Sequence, residues 1–116
     1  MLLLFIDDHR DTADSFADLA KALGHLATVA YDGASARRAI AEQIFDIIFL
    51  DLNLPDADGR EICAEIRLSA TGNASQVIAL TGMTELSLQG DMSVFDGYYV
   101  KPLMMDDFER LLQHAS

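Results

Sequence analysis

The chain has 116 residues, 51% of them apolar, enough for one domain with a core of its own. Its lone cysteine, Cys63, excludes an internal disulfide and fits a reducing, cytoplasmic setting. Eight basic against nineteen acidic residues leave a net charge of −11, a field that repels phosphate backbones and lipid headgroups and argues against a nucleic-acid or membrane partner.

Short apolar runs alternate with segments of helical period, the pattern of parallel strands joined by crossover helices. The first run, Leu2–Ile6, is too short for a signal peptide or a membrane span and reads as a buried strand. A helix over 12–23 follows, with Phe16, Leu19, Ala20 and Leu23 on one face and Gly24 as its stop. A second strand near 26–30 meets the turn pair Asp32-Gly33, and the alanine-rich 34–43 reads as the second helix.

The run 45–50 is the third strand; its consecutive apolar residues Ile47, Ile48, Phe49 and Leu50 predict a central position covered on both faces. After a loop over 51–59 comes a third helix with Ile62 and Ile66 on one face, then a fourth strand over 77–80. Segment 83–96 keeps helical spacing in Leu88, Met92 and Phe95, but Gly90 and the serines weaken it to a short or frayed helix. A fifth strand, 98–100, precedes Lys101-Pro102, and the final helix presents Phe108, Leu111 and Leu112 with Asp106 and Asp107 at its start. Residues 1–116 are thus expected to form a single domain.

Right-handed crossovers give a doubly wound α/β sheet, and in such sheets sites form beyond the carboxyl ends of the strands. The residues there are Asp7 and Asp8, Asp51, Thr81 and Lys101, each just past an apolar run. Three converging carboxylates repel one another, and a divalent cation is the remedy. Oxygen-only donors suit Mg²⁺, and no histidine and cysteine pattern has zinc spacing. His9 adjoins the acids, but a histidine in a polar loop is more often a solvated side chain. Lys101 offers a point charge, Thr81 a hydroxyl, and Asp51 a carboxylate nucleophile, which together make a phosphoryl-transfer set. Taken singly, each of these residues is as readily a cap, a loop acid or a surface lysine; four strand ends supplying them together is what points to chemistry.

The segments Phe5-Ile6-Asp7-Asp8, Asp51-Leu52-Asn53-Leu54-Pro55 with Asp58-Gly59, Ala79-Leu80-Thr81-Gly82 and Tyr99-Val100-Lys101-Pro102 resemble, in order and separation, the receiver domain of two-component response regulators. The resemblance covers essentially the whole chain. It implies a flavodoxin-like, five-stranded parallel sheet of order 2-1-3-4-5 with five helices. It also implies phosphorylation of Asp51 and direct Mg²⁺ ligation by Asp8, Asp51 and the Asn53 main-chain carbonyl, with Asp7 acting through water. Lys101 would pair with the phosphoryl group, Thr81 would move to hydrogen-bond it, and the Tyr98 rotamer would follow. The change would be displayed on the face made by segment 83–96, the fifth strand and the final helix. A histidine kinase or histidine phosphotransfer protein would be the donor and a downstream protein the target. Two departures concern that output face: 81–101 is a residue or two short, and Ser93-Val94-Phe95-Asp96 stands where relatives carry an alanine-glycine-alanine turn.

Three rivals share parts of this pattern. An aspartate-nucleophile phosphatase needs a second acid two residues past the nucleophile, where this chain has Asn53. A flavin-binding module needs a hydroxyl-rich loop where Asp7 and Asp8 stand, and no Gly-Lys-Ser/Thr phosphate loop is present either. A non-phosphorylated pseudo-receiver is disfavoured because all the chemical residues are there. The expectation is therefore a switch that catalyses only its own aspartyl phosphorylation and dephosphorylation.

Overall fold

Strands β1 (Leu2–Ile6), β2 (Leu26–Ala30), β3 (Ile47–Asp51), β4 (Gln76–Thr81) and β5 (Gly97–Val100) form one parallel sheet in the order β2-β1-β3-β4-β5. The computed structural model describes residues 1–52, 54, 56–68, 75–81, 95–100 and 103–114, the side chains at 81, 100 and 114 excepted. Strand β1 is central because both its edges are used: Leu3 to Ile6 pair with Ala27 to Ala30 on one side and with Ile47 to Leu50 on the other.

Alternate side chains of the central strands feed two separate cores, which is why their sequences are apolar without interruption. Leu4, Ile6, Ile48, Leu50, Val77 and Ala79 point to one face, where α2 (Gly33–Glu42) supplies Ala36 and Ile40 and α3 (Gly59–Leu68) supplies Ile62, Cys63 and Ile66. Leu3, Phe5, Ile47, Phe49, Ile78 and Leu80 point to the other, against α1 (Arg10–Ala22) and the C-terminal helix α4 (Met105–His114), with its Phe108 and Leu112. Each fully buried large side chain contributes about 2 kcal/mol of hydrophobic stabilisation.

Local chemistry sets the helix ends. His9 is the N-cap of α1, its Nδ1 accepting from the Thr12 amide at 3.3 Å, and Gly24, at φ 93°, reverses the chain behind it. Asp32 caps α2, accepting from the Ser35 amide at 2.7 Å and hydroxyl at 2.6 Å. Asp58, next to α3, accepts from the Arg60 amide at 2.8 Å, and Asp106 and Asp107 stand in the first turn of α4.

The structure corrects the expected face of α1 in part: Ala20 is buried as expected, and Phe16 and Leu19 pack at its margin. Its buried stripe is Ala13, Ala17 and Ala20; Phe16 and Leu19 are only half-buried, and Leu23 is 42% exposed. Alanines let the helix axis approach the sheet closely, so the larger residues flank the contact. Likewise Asp32 and Gly33 belong to a helix cap and first turn rather than to a free turn, because the Asp32 carboxylate is spent on Ser35. The expected helix over 83–96 lies outside the described residues except for Phe95 and Asp96, which form a bend leading into β5. Four helices are present among the described residues.

Candidate functional site

Register brings the acids together. Ile6 pairs with Leu50, so Asp7 leaves β1 beside the point where Asp51 ends β3, and Asp51 in turn pairs with Leu80. The Asp7 amide donates to the Ala30 carbonyl at 3.0 Å and the Leu52 amide to the Leu80 carbonyl at 3.1 Å, so both strand ends are anchored in the ladder. One carboxylate oxygen from each of Asp7, Asp8 and Asp51 lies within 4.8 Å of the others. Asp7 and Asp51 are 2% and 4% exposed, whereas Asp8 is open to solvent.

The three carboxylates form a cluster of like charges, with Asp8 on its solvent side. At an effective dielectric of about 20, two unit charges at this spacing repel by roughly 3 kcal/mol. The donor set is all oxygen, two members fixed by burial and one accessible, which fits a hard divalent cation such as Mg²⁺ that keeps part of its water shell. Among the described residues it is the one cluster of three or more acidic, histidine or cysteine side chains close enough to hold a metal ion.

His9, although adjacent, does not join the cluster. Its backbone amide donates to Asp7 Oδ1 at 2.9 Å while its ring is engaged with Thr12, so it orients one carboxylate from behind and starts α1 at the same time.

Of the other residues singled out by sequence, Thr81 closes β4 opposite Val100, and Tyr98, 52% exposed, sits on β5 opposite Ala79. Asn53 and Lys101 lie outside the described residues. A contributor given no role from sequence is Gly59. A Cβ there would come within 2.7 Å of Leu52 Cα and 2.9 Å of the Asp51 carbonyl oxygen, so only glycine lets α3 start directly against the backbone of Asp51. The Gly59 amide also donates to the Leu52 carbonyl at 3.1 Å, closing the base of the loop. The Asp58-Gly59 pair was the available signal, but its meaning depends on a contact seven or eight residues back along the chain.

Residues 3–113 match the family model described as the response regulator receiver domain. The chain is 34% identical, over 98% of its length, to the transcriptional regulatory protein KdpE of Mycobacterium tuberculosis, of which it covers 50%. It is 31% identical, over 89% of its length, to the sensor histidine kinase AtsR of Burkholderia thailandensis, of which it covers 18%. The chain thus spans half or less of the length of these relatives.

Among solved structures, a CheY-like receiver domain from Methylobacillus flagellatus superposes with a TM-score of 0.89 at 28% identity, covering 100% of this chain and 98% of that one. The receiver domain of the sensor histidine kinase PA1611 from Pseudomonas aeruginosa, solved with a magnesium ion coordinated in its active-site cleft, gives 0.83 at 30% identity, covering 97% and 93%. The strand order, the acidic cluster at the carboxyl edge of the sheet and these likenesses agree: the chain belongs to the response regulator receiver domain family of two-component systems.

Proposed function

We propose that Asp51 is the phosphoryl acceptor of this receiver. The observation that carries this reading is the meeting of Asp7, Asp8 and Asp51 at one strand edge, with carboxylate oxygens within 4.8 Å. An Asp51 oxygen attacks phosphorus, the P–N bond to a donor histidine breaks, and the imidazole nitrogen keeps the electron pair and takes a proton. Asp8 and Asp51, with the main-chain carbonyl of Asn53, would hold Mg²⁺, with Asp7 helping through water. When bound, the ion would supply the positive charge that offsets the three acids and the moving phosphoryl group. Lys101 pairs with the phosphoryl oxygens.

The donor is a histidine kinase or histidine phosphotransfer protein, and the output is a protein contact rather than nucleic acid. Thr81 moves toward the phosphoryl group and Tyr98, a half-exposed residue, turns into the space vacated. No helix among the described residues is long and apolar enough to cross a membrane. We place the protein in the cytoplasm, with residues 1–116 acting as one receiver that catalyses only the making and loss of its own aspartyl phosphate.

The test is intact-mass spectrometry after incubation with acetyl phosphate and Mg²⁺, for the wild type and Asp51→Asn. The wild type gains one phosphate, stable in acid and labile in alkali, and the variant gains none. Equal phosphorylation of both removes Asp51 from the role, and no phosphorylation of either favours a binding-only pseudo-receiver.

A further inference from the structure

The loop that follows Asp51 is fastened at its far side by a residue the chemistry above does not use. Asp56 sits five residues past Asp51, outside both cores, yet its carboxylate crosses to the start of α2. Oδ1 accepts from the Gly33 amide at 2.7 Å and Oδ2 from the Ala34 amide at 3.2 Å. These amides belong to the first turn of α2, where backbone N–H groups lack helical partners and favour a negative charge. The other cap, Asp32, is committed to Ser35, so the two carboxylates divide the free donors between them.

The fit is close as well as polar. A Cβ on Gly33 would lie 2.8 Å from the Ala57 Cβ and 3.0 Å from Asp56 Oδ1, so the loop rests directly on the helix backbone. Two residues further on, Gly59 leans on the Asp51 carbonyl oxygen and bonds the Leu52 carbonyl. A mechanical connection therefore runs from the first turn of α2, through Asp56 to Gly59, to the backbone that carries Asp51. Strand β1 places Asp7 and Asp8 from one side of the cluster; this connection braces Asp51 from the other.

We propose that Asp56 is a positioning residue for the acidic cluster: its two-pronged bond to α2 holds the Asp51 backbone where the three carboxylates can share one cation. The inference rests on the Mg²⁺ reading of the site. Asp56 is not a member of the cluster, so the effect is one of geometry. Supports that orient metal ligands at second hand are typically worth about tenfold or more in metal affinity.

Charge and geometry are separable by substitution. Asp56→Asn and Asp56→Ala remove the same negative charge, and only Asn keeps an oxygen that accepts from Gly33. Gly33→Ala leaves every charge in place and wedges the loop away. The measurement is Mg²⁺ affinity by calorimetric titration at a temperature where circular dichroism shows each variant folded, with amide hydrogen exchange at Gly33 and Ala34 as a second readout. Asp56→Ala and Gly33→Ala each bind Mg²⁺ about tenfold more weakly than wild type, with Asp56→Asn in between. Asp56→Ala also loses protection at Gly33 and Ala34.

Equal affinity for Asp56→Ala and Asp56→Asn, together with a wild-type value for Gly33→Ala, overturns the proposal and leaves only a charge effect. If either variant at this contact fails to fold, the other alone decides, by the same comparison with Asp56→Asn or with wild type. Asp8→Asn is the control for the underlying reading. If it leaves Mg²⁺ affinity unchanged the metal site itself is wrong, whereas a weakened Asp8→Asn beside unaffected Asp56 and Gly33 variants refutes the brace alone.

Discussion

Arg67 and Asp96 form an ion pair at 2.6 Å in which the same carboxylate oxygen also accepts the Val77 amide at 2.7 Å. The arginine's other terminal nitrogen donates to the Ser75 carbonyl at 2.8 Å, and the Ser75 hydroxyl donates to the Phe45 carbonyl at 2.6 Å. One polar chain thus ties the end of α3 to the starts of β3, β4 and β5, at the edge of the sheet opposite the acidic cluster. Both charged side chains keep partial contact with water, 26% and 40% exposed, which reduces the worth of the pair itself. The amide left behind is the larger loss. Asp96→Ala is expected to cost about 1–2 kcal/mol by urea denaturation, and Asp96→Asn, which can still accept from Val77, less.

Charge crowding gives a prediction whose size depends on metal. In EDTA, Asp8→Asn should melt at a higher temperature than wild type, because one of three mutually repelling carboxylates is gone. With Mg²⁺ at about ten times its dissociation constant the wild type gains about 1.4 kcal/mol, while the variant gains little. Differential scanning fluorimetry with and without Mg²⁺ checks that the gap between the two proteins narrows. Parallel behaviour of the two proteins would mean that the cluster does not hold the ion.

Asp32 ties stability to pH. Hydrogen bonds from the Ser35 hydroxyl and then the Ser35 amide hold its carboxyl below the usual carboxylate range. A lowered folded-state pKa stabilises the fold above the unfolded value near 3.9 and stops doing so as pH falls through the folded value. The stability difference between wild type and Asp32→Ala should therefore be constant from neutral pH down to about 5 and close as pH drops below about 4. Urea midpoints measured across that range show it. A difference that persists unchanged to pH 2 would assign the effect to backbone conformation instead of charge.

Phe108 of α4 meets Phe16, Phe49 and Phe5 with ring centroids 5.2, 5.5 and 5.9 Å away, joining α1, β1 and β3 in one aromatic group. Its side chain is fully buried. Phe108→Ala should cost about 3–5 kcal/mol, read as a lower urea midpoint with an unchanged slope.

Burial pushes the Cys63 thiol pKa up, so little of it is the reactive thiolate at neutral pH. Iodoacetamide should modify the native protein only as fast as it opens, and the rate should rise sharply near the urea midpoint. Prompt labelling in buffer would show that α3 separates from the sheet locally.

The strands are legible because burial on both faces leaves a plain mark: runs such as Ile47 to Leu50, with a polar residue at each end; their order came from the family resemblance, not from the runs. Leu2–Ile6 was read with its observed bounds for the same reason. The acidic cluster followed, since strand ends in a parallel sheet share one edge. The α1 contact was misjudged because period alone ranks large apolar residues over alanine, whereas packing against the sheet favours Ala13, Ala17 and Ala20. The bonds Asp56 to Gly33 and Arg67 to Asp96 join residues 23 and 29 positions apart. Neither leaves a periodic trace, because each depends on which loop ends the crossovers set side by side.

All three clustered acids, and the three strands β2, β1 and β3 that converge on them, lie within residues 1–51. A chain that assembles this first half ahead of the rest must bring like charges together while β4 and β5 are still undocked. Folding is then frustrated at the very spot that later works, and the barrier is ionic in origin. Dissolved salt and divalent ions lower it by screening, so the medium that serves the finished switch also eases its construction.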